Sequence, residues 1–208
     1  MKESKPPQAV VCDLGGVVIN IEPEAIPRNL AAAVGLPVER VAAVVQDEQL
    51  VADHDSGRLT FDQFRREVER RLGREIPPEV FDASWNSLFR GVTAGMERLL
   101  PQLRKCARVV ALSNTSARHD QVFSRLYRDV LGNFERIFKS HKMGLLKPQG
   151  EIYKAVLEYL NLPAELIVHI DDRQVHVDGA AAVGMRAFVA TSTDQVADQL
   201  RQMGLPLG

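Results

Sequence analysis

Cysteine is scarce in this chain, with Cys12 and Cys106 the two examples among 208 residues. Two thiols build neither a disulfide framework nor a cysteine-rich metal site, and both read as reduced, buried side chains. An excess of one charge is missing too. Lys and Arg number 26 against 27 Asp and Glu, for a net charge of −1. That balance excludes the electrostatic footprint of a nucleic-acid or anionic-membrane binder. No apolar run approaches the roughly 20 residues of a membrane span. The polar segment 1–7 lacks the apolar core of a signal peptide. Internal repeats and low-complexity stretches are also absent. A cytoplasmic protein fits these absences, a monomer or homodimer with no nucleic-acid or membrane partner.

The chain has 45% hydrophobic and 25% charged residues, enough for one sizeable core with an insertion. Short apolar, β-branched runs at 9–13 (AVVCD), 108–112 (RVVAL), 167–171 (IVHID) and 186–190 (RAFVA) read as buried strands, with a weaker one near 136–139. Helical spacing lies between them, as at 150–160 and 193–203. Thr191-Ser192 offers an N-cap for the second of these helices, and Gly204 a stop. This alternation predicts an α/β fold, a Rossmann-like parallel sheet core covered by helices on both faces. One block breaks it. From 21 to 92 the pattern is amphipathic helix throughout, at 25–34, 38–52, 60–72 and 78–89. The expected organisation is therefore a core of 1–20 and 93–208 with a small, all-helical domain of 21–92 inserted. Pro23 and Gly91-Val92-Thr93 are its expected hinges, and Trp85 and Phe89 read as part of its core.

In an open parallel sheet, ligands bind beyond the carboxyl ends of the strands. Those ends carry Asp13, then Ser113-Asn114-Thr115, then Asp171-Asp172, while the loop before residue 150 carries Lys147. A carboxylate, a hydroxyl, an ammonium and an acidic pair on one rim suit phosphoryl transfer. The acids make a hard oxygen site for Mg²⁺. The ammonium and hydroxyl serve phosphate oxygens, and Asp13 can attack phosphorus in line. His119, His141, His169 and His176 show no ligand spacing and read as structural.

The order VVCDLGGVV, ALSNT, LKPQGEIY and HIDDRQVHVDGAAAVGM resembles the four motifs of the haloacid dehalogenase-like hydrolases over nearly the whole chain. The helical insert resembles the alpha-helical cap of their first subclass. The DLGG form, with LKP and DD, is most similar to the branch of bacterial glucose-1-phosphate phosphatases and the phosphatase domain of soluble epoxide hydrolase. The resemblance implies a Mg²⁺-dependent phosphatase acting on a small phosphorylated metabolite such as a sugar phosphate. Asp13 would be its nucleophile and a metal ligand. Ser113 and Lys147 would hold the phosphoryl group, with Gly16 and Asn114 as substrate contacts beside them. Asp172 would be a direct metal ligand, with Asp171 reaching the metal through water or orienting the site. His176 stands where relatives of this branch often have asparagine.

Gly15 occupies the position of the family's acid/base aspartate. A glycine still offers the backbone carbonyl that this position gives the metal, but not the side chain that protonates the leaving oxygen and later activates water. Such help is worth about 10²–10⁴-fold, so the expectation is a slow or leaving-group-selective enzyme. His54 or Arg58, in the polar turn of the insert at 53–58, could supply substrate contacts or the missing acid; the same turn also reads as a plain solvated connection. Two alternatives stay open: a 2-haloacid dehalogenase, and a catalytically weak member that binds a phosphate ligand or a protein.

Overall fold

The computed structural model describes residues 5–208, so the first four residues of the polar segment 1–7 lie outside it. The chain opens with β1 (Ala9–Cys12) and the short β2 (Ile19–Ile21), then five helices: α1 (Ala25–Val34), α2 (Val38–Val45), α3 (Glu48–Asp55), α4 (Phe61–Leu72) and α5 (Pro78–Trp85). Next come β3 (Phe89–Val92), α6 (Met96–Cys106), β4 (Arg108–Ser113), α7 (Ala117–Leu126), α8 (Arg128–Leu131), β5 (Arg136–Lys139) and α9 (Ser140–Met143). The last elements are α10 (Gly150–Leu160), β6 (Ile167–Asp171), α11 (Gln174–Ala182), β7 (Arg186–Val189) and α12 (Thr193–Gln202).

Five strands form one sheet in the order β5-β4-β1-β6-β7, and every neighbouring pair is parallel. β1 is central and wholly buried. Its pleat sends Val10 and Cys12 to one face, with Leu100, Phe123 and Leu200. Ala9 and Val11 go to the other, with Ile152, Tyr153 and Val156. Sheet order reverses direction beside β1, so the carboxyl ends of β1, β4 and β6 open onto one crevice.

The helices α1–α5 bury an apolar core of their own, which includes Leu30, Val41, Phe64, Phe81 and Trp85. Two features of this block differ from the sequence reading. The stretch 38–52 is two helices, because the Asp47 side chain accepts from the Leu50 amide and starts a new one. The helix expected at 78–89 stops at Trp85, and Phe89–Val92 pairs antiparallel with Ile19–Ile21. Four residues with a glycine carry little strand signal alone; β3 exists because β2 lies opposite it. Of the expected hinge residues, Gly91 and Val92 thus lie in a paired two-strand ribbon, while Pro23 and Thr93 follow its strands. Cys106 also differs from expectation, being partly exposed where Cys12 is buried; both are free. Among the described residues, no helix is long and apolar enough to cross a membrane.

Candidate active site

Four chain segments deliver their side chains to one cavity of about 740 Å³ between the sheet edge and the helical insert. β1 ends at Cys12, and Asp13 follows with its amide donating to the Ile170 carbonyl at 2.8 Å. β4 delivers Ser113 and the turn after β6 delivers Asp172, while Asp171 at the end of β6 is fully buried and does not line the cavity. Asp13, Asp171 and Asp172 each bring a carboxylate oxygen within 4.8 Å of the others. Lys147, with a side chain of 0% exposure, puts its Nζ 2.9 Å from Asp13 and 2.6 Å from Asp171.

The loop at Lys147 is held by Asn114. Its side-chain amide donates to the Lys147 carbonyl at 3.0 Å, and its carbonyl accepts from the Lys147 amide at 2.9 Å. Expected as a substrate contact, Asn114 has its side chain committed to positioning the lysine. Gly16 differs similarly. Its amide donates to the Ile19 carbonyl at 2.9 Å, within the turn that leads to β2. A Cβ at Gly16 would lie 2.3 Å from Asp172 Oδ2, on a backbone with φ of +78°. The glycine therefore lets Asp172 approach, rather than offering a donor to substrate.

Burial pushes the Asp13 carboxyl up to about 6, with Asp171 and Asp172 adding to the rise and Lys147 opposing it. Asp172 is also raised, by burial and then by Asp171. At Asp171 burial works upward as well, but contacts from His169 and His176 and the charge of Lys147 outweigh it. The net effect holds Asp171 well below the usual carboxylate range. His176 Nδ1 lies 2.9 Å from Asp171 Oδ1, the Arg173 amide donates to the same oxygen at 3.0 Å, and His169 Nε2 lies 3.3 Å from Oδ2. These two histidines, expected to be structural, both contact this carboxylate, and His176 also lines the cavity. Asp171 is thus a fully paired anchor, while Asp13 and Asp172 repel each other.

Two raised acids and a third held ionised form an oxygen site short of positive charge, which suits a hard divalent cation such as Mg²⁺. The close approach permitted at Gly16 supports the same fit. Gly15 lines the cavity beside Asp13, so its carbonyl can join the set.

The insert supplies the opposite wall, mostly apolar through Ile26, Val45, Val51, Trp85 and Leu88. Neither His54 nor Arg58 is part of it. His54 is 2% exposed, stacks on Phe64 at 4.4 Å and bonds the Leu59 carbonyl through Nδ1. Burial drives its pKa down to about 4. The Arg58 side chain, 54% exposed, pairs with Asp53 at 2.6 Å. Asp55, the residue after His54 in the chain, does line the cavity. Ser140 fixes it there: the fully buried hydroxyl donates to the Asp55 carbonyl at 2.6 Å and accepts from the Thr115 amide at 2.8 Å. His119 also joins the wall, its Nε2 3.0 Å from the Trp85 carbonyl and its ring stacked on the indole at 5.0 Å.

The model of the haloacid dehalogenase-like hydrolase family matches residues 7–184. The chain belongs to this family. Among curated relatives, the D-ribitol-5-phosphate phosphatase of Bacteroides thetaiotaomicron is 21% identical over 184 residues, 86% of this chain and 89% of that protein. A drimenol cyclase of Aspergillus calidoustus is 26% identical over 93% of this chain, which spans 36% of the cyclase. Among solved structures, a HAD family enzyme of Bacteroides thetaiotaomicron in complex with magnesium and inorganic phosphate superimposes with a TM-score of 0.79 at 25% identity, covering 90% of this chain and 96% of that one. The L-2-haloacid dehalogenase of Xanthobacter autotrophicus shares the fold, with a TM-score of 0.65 at 18% identity over 94% of this chain and 83% of that one.

Proposed function

We propose that this hydrolase is a Mg²⁺-dependent phosphatase that passes the phosphoryl group of a small phosphorylated metabolite first to Asp13 and then to water. One observation carries the reading: three carboxylates within 4.8 Å of one another, with a buried ammonium bridging two of them, at the open edge of a parallel sheet. Asp13, Asp172 and the Gly15 carbonyl would hold the metal, with Asp171 orienting the site or reaching the metal through water, and the metal supplies charge neutralisation for phosphate oxygens when bound. Lys147 shares that task and keeps Asp13 aligned. The Ser113 hydroxyl, in the cavity at the end of β4, donates to a phosphate oxygen. Asp13 then attacks phosphorus in line, and the resulting aspartyl-phosphate is hydrolysed. Residues 21–92 act as the cap over this reaction.

None of the cap residues that line the cavity is basic, so no second anionic group of a substrate finds a partner there. The cap wall thus favours a single-phosphate ester with an uncharged organic part, Arg173 being the arginine that lines the cavity from the core side. A relative named as a D-ribitol-5-phosphate phosphatase supports a polyol or sugar phosphate, and the apolar cap wall extends the range to less hydroxylated esters. A dehalogenase acting on a carboxylate without metal would gain nothing from Asp171 and Asp172 together, and a binder would show no turnover. Phosphate release from a panel of phosphomonoesters, with and without Mg²⁺, in wild type and Asp13→Asn tests the proposal. Mg²⁺-dependent turnover lost in the variant is the expected result. Chloride release from 2-chloropropionate without Mg²⁺, or ligand binding with no turnover of any ester, would overturn it.

A further inference from the structure

Gly15 leaves the leaving oxygen without a proton donor from β1, yet a carboxyl group faces the same cavity from the cap. We propose that Asp55 is the acid/base catalytic residue of this enzyme, standing in from the cap for the side chain that Gly15 lacks; the inference rests on the phosphatase reading above.

Three observations support it. The first is place. Asp55 lines the cavity that also holds Asp13, Gly15, Ser113 and Lys147. Its backbone is two hydrogen bonds from the phosphate-side loop, through Ser140 to the Thr115 amide. The second is orientation along α3. Leu50 and His54, four residues apart, are buried in the cap core, while Val51 and Asp55, also four apart, face the cavity. The third is environment. Burial alone raises the Asp55 carboxyl to about 7, with no compensating cation, which suits a group that must give and regain a proton in one turnover. Glu48, the other acid on the cap wall, sits exposed at the opposite end of the same helix.

The chemistry balances without further reactants. As a carboxylate oxygen of Asp13 bonds to phosphorus, the bond from phosphorus to the leaving oxygen breaks, and the Asp55 proton passes to that oxygen to release a neutral alcohol. In the second half, water attacks the phosphorus of the aspartyl-phosphate and gives its proton to the Asp55 carboxylate. Inorganic phosphate leaves, the Asp13 carboxylate is restored, and Asp55 is protonated again.

The test compares wild type, Asp55→Asn and Asp13→Asn on p-nitrophenyl phosphate, whose leaving group departs without a proton, and on a simple alkyl phosphate. Asp55→Asn is expected to lower kcat/KM for the alkyl ester by about 10²-fold or more while changing the aryl ester less than about 10-fold. Because the Asp55 carboxyl gains nothing from its surroundings, the variant should melt no lower than wild type, which separates lost chemistry from lost structure. Adding Gly15→Asp to Asp55→Asn should restore alkyl ester turnover. The added Cβ meets only the Ile21 side-chain end, Cδ1 at 3.0 Å. No loss, or an equal loss on both esters at unchanged melting temperature, overturns the role of Asp55 alone. No Mg²⁺-dependent turnover of either ester by wild type overturns the phosphatase reading and this proposal with it, and turnover that survives Asp13→Asn overturns Asp13 as the nucleophile.

Discussion

Replacing Lys147 by methionine removes the cation between Asp13 and Asp171 while keeping a side chain of similar length. The ammonium is 2.9 Å from one carboxylate and 2.6 Å from the other, in a side chain with 0% exposure. Each contact is worth about 6 kcal/mol of direct attraction at an effective dielectric of ~20, opposed by several kcal/mol of desolvation per ion. Removing one partner of such a buried pair typically leaves a net loss of about 3–5 kcal/mol. At roughly 2–4 °C per kcal/mol for a chain of this size, the melting temperature should fall by about 6–20 °C near pH 8. In wild type, Asp171 is held below its unfolded value, so its stabilisation is present above that value and fades only in stronger acid. Without Lys147, Asp13 loses the group that opposes its burial, so its carboxyl rises further above its unfolded value of about 3.9 and the variant loses more stability than wild type as pH rises from about 4 to 7. The gap between the two proteins must therefore widen across that window, and Mg²⁺ should narrow it. Calorimetric melts at pH 5 and pH 8, with and without Mg²⁺, read this directly. A gap equal at both pH values would show that Lys147 stabilises through its stem, and the electrostatic reasoning would fail.

Two further outcomes follow from other parts of the site. Gly16→Ala places a Cβ 2.3 Å from Asp172 Oδ2, so displacing that carboxylate should weaken Mg²⁺ binding by roughly 10–100-fold in isothermal titration; unchanged affinity would remove Asp172 from the metal set. His54 is held neutral by burial, with its pKa pushed down to about 4, so its stabilisation is present above pH ~6.5 and lost as pH falls toward 4. His54→Phe should flatten that acid limb by up to about 3 kcal/mol in urea melts while turnover persists. Loss of turnover would return His54 to the active site.

The sheet and its functional edge were legible because β1, β4 and β6 are buried on both faces and end in polar residues, a contrast that survives in short segments. The β2–β3 ribbon was not, because its pairing is set by the partner strand rather than by either segment's composition. Asn114 and Gly16 were expected as substrate contacts, and in the fold the Asn114 side chain bonds Lys147 while the Gly16 amide bonds the Ile19 carbonyl. Which atoms a rim residue spends its hydrogen bonds on depends on loops that meet only in the fold, as Asn114 meets Lys147 across 33 positions. The pairing of Asp171 with His176, and its close contact with His169, was hidden for the same reason.

The acid in the cap is a different case, because a signal was present. His54 drew attention through its intrinsic pKa, the property that burial then removes. Helical phase separates the neighbours: His54 lies four residues after Leu50 and shares its buried face, while Asp55 lies four after Val51 and shares the face turned to the cavity. Intrinsic pKa favoured the histidine, and position on the helix favoured the aspartate. Position has priority, because the environment it selects resets the pKa of whichever residue occupies it. At this site that environment drives the histidine down to about 4 and the aspartate up to about 7, so the residue with the less suitable intrinsic value becomes the one poised near neutrality.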